Sequence, residues 1–149
     1  MDVISSAIVL CETRLISGEE PPHIDGYSAY TVSRKTRNRI KGGGLGIYVL
    51  DSISSNRVEN LSKICTSYES IGVEINLGAN NMFYLCGVYR PPQCNINDFN
   101  NTYFEMIRRY VNNKKCMVVG DFNIDLMSLH SVTSCQNVYD NFISETKRL

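Results

Sequence analysis

The sequence predicts one mixed α/β sandwich domain, and three features carry that prediction. Short apolar runs bounded by glycine or acids recur, as at Ala7 to Leu10 and Cys116 to Val119. A strictly alternating stretch (Ile71, Val73, Ile75, Leu77) is followed across Gly78-Ala79-Asn80-Asn81 by a second apolar run, Met82 to Val88. Asn97 to Asn113 instead spaces Phe99, Tyr103, Ile107 and Val111 for one helix face. Strand pairs with a helix returning over them make a sandwich, and 149 residues fit one domain with a real core.

In chain order, Ala7 to Leu10 reads as a buried strand that stops at Cys11-Glu12-Thr13-Arg14, leaving Glu12 at its end. Ser17 to Gly26 is rich in turn formers and reads as a surface loop. Tyr27 to Val32 alternates aromatic or branched residues with small ones and suits a half-buried strand. Ile47 to Leu50 is another strand. Asp51 to Thr66 has no clear period and receives no assignment. Glu69 to Leu77 and Met82 to Val88 read as a β-hairpin, which Tyr89-Arg90-Pro91-Pro92 terminates. The helix starts with Asn97 as its cap, and its aromatics read as core rather than as a base-stacking platform. Lys115 to Val119 reads as a strand buried on both faces, and Val138 to Ile143 as a short helix.

Composition narrows the function. Fifteen basic and fifteen acidic residues cancel, so any affinity for nucleic acid must be local. No apolar run approaches the roughly 20 residues of a membrane-spanning helix, and no basic residue precedes the apolar patch at Ala7, so neither a membrane span nor a signal peptide is expected. The six cysteines lack metal-site spacing. They read as small buried hydrophobes of an intracellular protein, nuclear or cytoplasmic and not secreted, with a disulfide framework as the alternative.

Three strand ends carry polar groups able to do chemistry. Val119-Gly120-Asp121-Phe122-Asn123 presents an acid that can orient or deprotonate a water and an amide that can bond an oxyanion; a plain turn explains the same residues. Glu12 is a second acid in the same kind of position, and Tyr89 with Arg90 forms the third. The tract Arg34-Lys35-Thr36-Arg37-Asn38-Arg39-Ile40-Lys41 has five basic residues and no acid. It reads as a solvated hairpin tip, with a phosphate-contacting patch as the alternative. The following Gly42-Gly43-Gly44-Leu45-Gly46 lacks the Gly-Lys-Ser/Thr of a nucleotide loop and opens a strand rather than a helix.

Taken in order, Val9-Leu10-Cys11-Glu12-Thr13-Arg14, Gly42-Gly43-Gly44-Leu45-Gly46-Ile47-Tyr48-Val49, Val88-Tyr89-Arg90-Pro91-Pro92 and Val119-Gly120-Asp121-Phe122-Asn123 resemble the endonuclease/exonuclease/phosphatase family. The likeness is to the apurinic-type endonuclease domain of non-LTR retrotransposons, where such a domain accompanies a reverse transcriptase, and it spans about Asp2 to Phe142.

The resemblance implies a four-layer α/β sandwich with mixed, largely antiparallel sheets that hydrolyses phosphodiester bonds of DNA with magnesium or manganese and no small-molecule cofactor. Glu12 then matches the metal-binding glutamate, Tyr89 the tyrosine that bonds the scissile phosphate, Asp121 the aspartate that activates water and Asn123 the amide that steadies phosphoryl oxygens. Arg90 adds charge to the phosphate contact, and Arg34, Lys35, Arg37, Arg39 and Lys41 are the candidates for backbone binding. The family's first strand, ending in asparagine, and its terminal Ser-Asp-His segment have no match here. An incomplete sandwich with impaired catalysis is therefore expected, or a non-catalytic remnant with weak nucleic-acid affinity and unpaired strand edges open to self-association. Both His23 and His130 read as surface residues.

Overall fold

Two sheets face each other across the core of the computed structural model, which describes residues 5–33, 42–79, 81–112, 114–124 and 144. The smaller sheet contains β1 (Ala7–Cys11), β2 (Tyr27–Val32) and β3 (Leu45–Leu50), in the order β1-β3-β2, all antiparallel. The larger contains β4 (Ser54–Ile64), β5 (Glu69–Asn76), β6 (Met82–Tyr89) and β7 (Lys115–Asp121), in chain order. Its first three strands are antiparallel, and β7 joins β6 in parallel. A mixed α/β fold with two largely antiparallel sheets is thus as the sequence predicts.

Alternation explains the layers. Odd-numbered residues of β3 and β5 (Leu45, Ile47, Val49; Ile71, Val73, Ile75) meet between the sheets, with Val32 and Leu85 beside them. The opposite face of the larger sheet presents Tyr84, Cys86 and Val88 to Phe99, Tyr103, Phe104 and Ile107 of the helical segment. Among the described residues no helix covers the outer face of the smaller sheet, the position of a fourth layer.

The helical segment corrects the single helix expected over Asn97 to Asn113. It runs as α1 (Ile96–Phe99), a π turn (Asn100–Phe104) and α2 (Glu105–Val111). The reason lies in the spacing: residues four apart in an α-helix are separated by about 400° of rotation, so a strict four-residue stripe drifts by roughly 40° at each step. The wider π turn absorbs that drift, and Phe99, Tyr103, Ile107 and Val111 stay on one buried face. The cap is Asn95, not Asn97; its side chain accepts from the backbone N–H of Asn97 at 2.8 Å and of Asp98 at 3.2 Å.

Two strands also depart from expectation. β4, which had no assignment, is an edge strand whose register shifts between Val58 and Lys63, so its alternation breaks and most of its side chains meet solvent. β7 is not buried on both faces. It is the other edge of its sheet, and Met117 and Val119, 55% and 39% exposed, line an open apolar cleft toward β1 rather than a closed core. The short helix expected at 138–143 lies outside the described residues, as do the basic tract at 34–41 and His130. His23 is exposed and pairs with Asp25 at 2.9 Å. Among the described residues no helix is long and apolar enough to cross a membrane.

The five described cysteines are free thiols, and two of them meet: Cys86 Sγ and Cys116 Sγ are 3.8 Å apart on neighbouring strands. Their shared proton lowers the pKa of Cys116 below the ordinary thiol value, while the same bond and burial raise that of Cys86. Removing the donor should undo the shift. In the variant Cys86→Ala, alkylation of Cys116 by iodoacetamide should reach its half-maximal rate at a higher pH than in the wild type, read by peptide mass spectrometry across a pH series.

Candidate active site at the shared strand ends

Topology brings the polar strand ends together. Because β6 and β7 are parallel, their carboxyl ends coincide, and Tyr89 pairs directly with Asp121. β5 is antiparallel to β6, so Glu69 at its start pairs with Tyr89 from the other side. In the facing sheet, Cys11 at the end of β1 pairs with Leu45 at the start of β3, which places Glu12 and the glycine loop at the same end of the sandwich.

Side chains then join the two sheets. Tyr89 Oη donates to Glu12 Oε1 at 2.7 Å, linking residues 77 positions apart. Glu12 and Arg14 both adopt left-handed backbone, at φ 55° and 56°. The segment between them docks on the glycine loop through Thr13 N to Gly44 O, 3.2 Å, and Arg14 N to Gly43 O, 2.9 Å. Gly44 has no substitute here: at φ +86° a Cβ would also sit 2.4 Å from Thr13 Oγ1. Its N–H donates to Glu69 Oε2 at 2.5 Å. Glu69 is fully buried and ties the loop to the larger sheet.

The Asp121 end is held as firmly. Asp121 Oδ1 accepts from the Asn123 N–H at 2.9 Å and Oδ2 from Asn123 Nδ2 at 3.1 Å, which fixes the orientation of the carboxylate. Asn123 sits at φ 49°, a left-handed conformation that asparagine tolerates, and its amide also donates to Arg90 O at 2.8 Å. Arg90 is only 5% exposed. Its guanidinium donates to the carbonyls of Phe122 (2.6 Å), Asn123, Cys94 and Pro91, stapling the loop after β7 to the loop after β6. Burial lowers its pKa from the ordinary arginine value, an effect that the neighbouring Asp121 charge opposes.

Cys11 reports the electrostatics of this end. Burial raises its thiol pKa against a backbone hydrogen bond at Asp121 that lowers it, and the charges of Asp121, Glu12 and Glu69 add to the rise. The half-buried Cys11 thiol thus feels the field of all three carboxylates. Among the described residues no group of three or more His, Cys, Asp and Glu is placed to hold a metal ion. Magnesium asks for less: it keeps several waters and takes one or two protein carboxylates. The Glu12 side chain, 40% exposed and supplying hard oxygen donors, fits that role.

Of the residues singled out from sequence, the structure brings Glu12, Tyr89, Arg90, Asp121 and Asn123 to one end, and Arg34, Lys35, Arg37, Arg39 and Lys41 lie outside the described residues. Glu69 was missed. As an acid opening an alternating apolar strand it gives no sign in the sequence of being buried, although burial of its charge is costly without a partner.

No family model and no curated protein matches the sequence. Nine chains of solved structures do match. One is the endonuclease domain of TRAS1, a telomere-specific non-LTR retrotransposon, with a TM-score of 0.64 at 12% sequence identity, over 95% of this chain. The chain has the fold of that endonuclease domain. It spans 60% of the neighbour's length. At this identity the likeness is one of backbone architecture, and it agrees with the order of motifs that the sequence presents.

Proposed function

We propose that the shared strand ends form a phosphodiester-hydrolysing site that acts on DNA with a divalent cation, magnesium or manganese. The observation that carries this reading is the bond from Tyr89 to Glu12 beside the paired Asp121, on a backbone shared with a retrotransposon endonuclease domain. Glu12 supplies the carboxylate that would hold the cation, which when bound would neutralise charge developing on the phosphate and the leaving oxygen. Asp121, oriented by Asn123, takes a proton from the attacking water. Asn123 steadies a phosphoryl oxygen, and Tyr89 turns its hydroxyl from Glu12 to the scissile phosphate once the carboxylate is engaged elsewhere. Arg90 lends positive charge from behind the loop.

A second reading has its own support. The Tyr89 hydroxyl and the Arg90 guanidinium both bond protein acceptors in this state. A site so satisfied suits a catalytically impaired domain that retains only nucleic-acid binding.

Nicking of supercoiled plasmid decides between them. The wild type is expected to give open circles with magnesium or manganese and none with a chelator. Asp121→Ala should fall by about 100-fold or more, the usual effect of removing a proton-transfer group. Equal rates in wild type and variant would remove the hydrolase reading. Binding without nicking in both would leave the second.

A further inference from the structure

The larger sheet has two edges, and they differ. β4 carries Arg57, Glu59 and Lys63 along its length and shifts register between Val58 and Lys63, two devices that discourage a further strand. β7, at the other edge, keeps an unbroken register and has charges only at its two ends, Lys115 and Asp121. Beside it opens an apolar cleft of about 380 Å³, whose walls include Ala7, Val9, Phe83, Leu85, Met117 and Val119. Among the described residues no strand pairs with the outer side of β7.

The backbone of β7 is set for such a partner. Arg90 N donates to Asp121 O at 2.9 Å, so Asp121 turns its main-chain groups toward β6. With a period of two, Lys115, Met117 and Val119 do the same, and Cys116, Val118 and Gly120 turn theirs to the open side. Side chains follow the same period: Lys115, Met117, Val119 and Asp121 share the exposed face, while Cys116 and Val118 pack toward the helical segment.

The strand is complementary to itself. An antiparallel second β7 that overlaps all seven residues must centre on Val118. Lys115 of each copy then stands opposite Asp121 of the other, and Met117 opposite Val119. Cys116, Val118 and Gly120 exchange about six backbone hydrogen bonds in that register. A parallel copy in register would instead set like charges opposite one another at both ends.

We propose that two copies of this chain pair through β7, antiparallel about Val118, so that the larger sheets join into one and the two apolar clefts abut on one face. This assigns a strand and a register to the self-association that the sequence leaves open. The contact is isologous, the same patch meeting itself across a two-fold axis. It also brings a residue to each candidate site, because Lys115 of the second copy reaches Asp121. Asn123 fills two of the roughly four acceptor positions of that carboxylate and leaves room for the ammonium. Lys115 gives up only an exposed bond to Asn81 Oδ1 at 3.3 Å. The pairing does not depend on the function proposed above, since it needs only the edge, the cleft and the two end charges.

Sedimentation velocity of the full chain in reducing, low-salt buffer, from about 1 to 200 µM, tests this; one short strand and a small cleft set the expected dissociation constant in the micromolar range. Lys115→Glu and Asp121→Lys should each weaken dimerisation about 10- to 50-fold, because like charges then face each other at both ends. Mixed in equal amounts, the two variants should dimerise within about threefold of wild type, since each presents the charge that the other lacks. Met117→Lys should also weaken the dimer about 10-fold or more, as edge lysines do. Arg109→Glu, the same charge reversal at an exposed helical position, should change nothing.

A wild type that stays monomeric over the whole range would overturn the proposal. A dimer indifferent to Lys115→Glu and Met117→Lys would do the same by placing the contact on another surface. Folded single variants that fail to recover on mixing would overturn the register. If circular dichroism shows that Asp121→Lys does not fold, Lys115→Glu and Met117→Lys decide the matter by themselves.

Discussion

Gly120→Ala should detach β7 from its sheet. A Cβ at this position would lie 1.8 Å from the carbonyl oxygen of Val88 and under 3 Å from its carbon and nitrogen, all of them backbone atoms. Gly120 pairs directly with Val88, so the clash cannot be relieved by a rotamer; the strands must part or shift register. Overpacking of a well-fitted site typically costs 1–3 kcal/mol, and displacement of backbone rather than side chains should put this variant at about 3 kcal/mol or more. Urea unfolding measures it. Gly18→Ala is the control: its Cβ would meet nothing within 4 Å, and only its φ of +97° is strained, so a loss of about 1–2 kcal/mol is expected. Equal losses in the two variants would show that close approach at Gly120 is not what requires glycine. Since the next residue is Asp121, the variant should also abolish any nicking.

Arg90→Ala should be the second severe change. The guanidinium is nearly buried and donates to the backbone carbonyls of Phe122, Asn123 and Cys94. Hydrogen bonds from charged donors contribute about 1.5–3 kcal/mol each, and an acceptor left without a donor adds a penalty. These carbonyls sit on loops that water can reach in part, so a net loss of about 2–4 kcal/mol is expected rather than the full sum. For a chain of this size that is a fall in melting temperature of roughly 5–15 °C. Arg90→Lys should recover little, because a single ammonium cannot span both loops as the planar fork does. A melting temperature within a degree or two of wild type in Arg90→Ala would mean that the staple contributes nothing to stability. Hydrogen exchange should localise the effect, rising at 121–124 while the amides of β5 stay protected.

These two residues also mark how far the sequence can be read. The apolar run before Gly-Asp-Phe-Asn is visible as a strand, yet nothing in the run says that glycine is demanded by the Val88 carbonyl across the ladder. Arg90 reads as a charge available to a phosphate because it adjoins the tyrosine to which the resemblance gives that contact. Its actual partners, the carbonyls of Phe122, Asn123 and Cys94, are backbone groups and leave no trace in residue identity. Glu12, Tyr89, Asp121 and Asn123 were legible as strand-end polar groups, and their order along the chain pointed to one family. Glu69 was not, since an acid at the start of an alternating strand looks the same whether it faces water or a buried backbone N–H.

Strand existence and the boundaries of β2, β5 and β6 follow from alternation and turn residues alone, because those signals are set by each residue's near neighbours. The helix shows the limit of that logic: its apolar stripe is plain, but the π turn that keeps Phe99, Tyr103, Ile107 and Val111 together depends on the sheet they pack against. Whether β7 would have both faces covered, where β4 would find a partner, and that Tyr89 would reach Glu12 across two sheets were decided in three dimensions. Those outcomes turn on which distant segments become adjacent, and no local period encodes an adjacency between residues 77 positions apart.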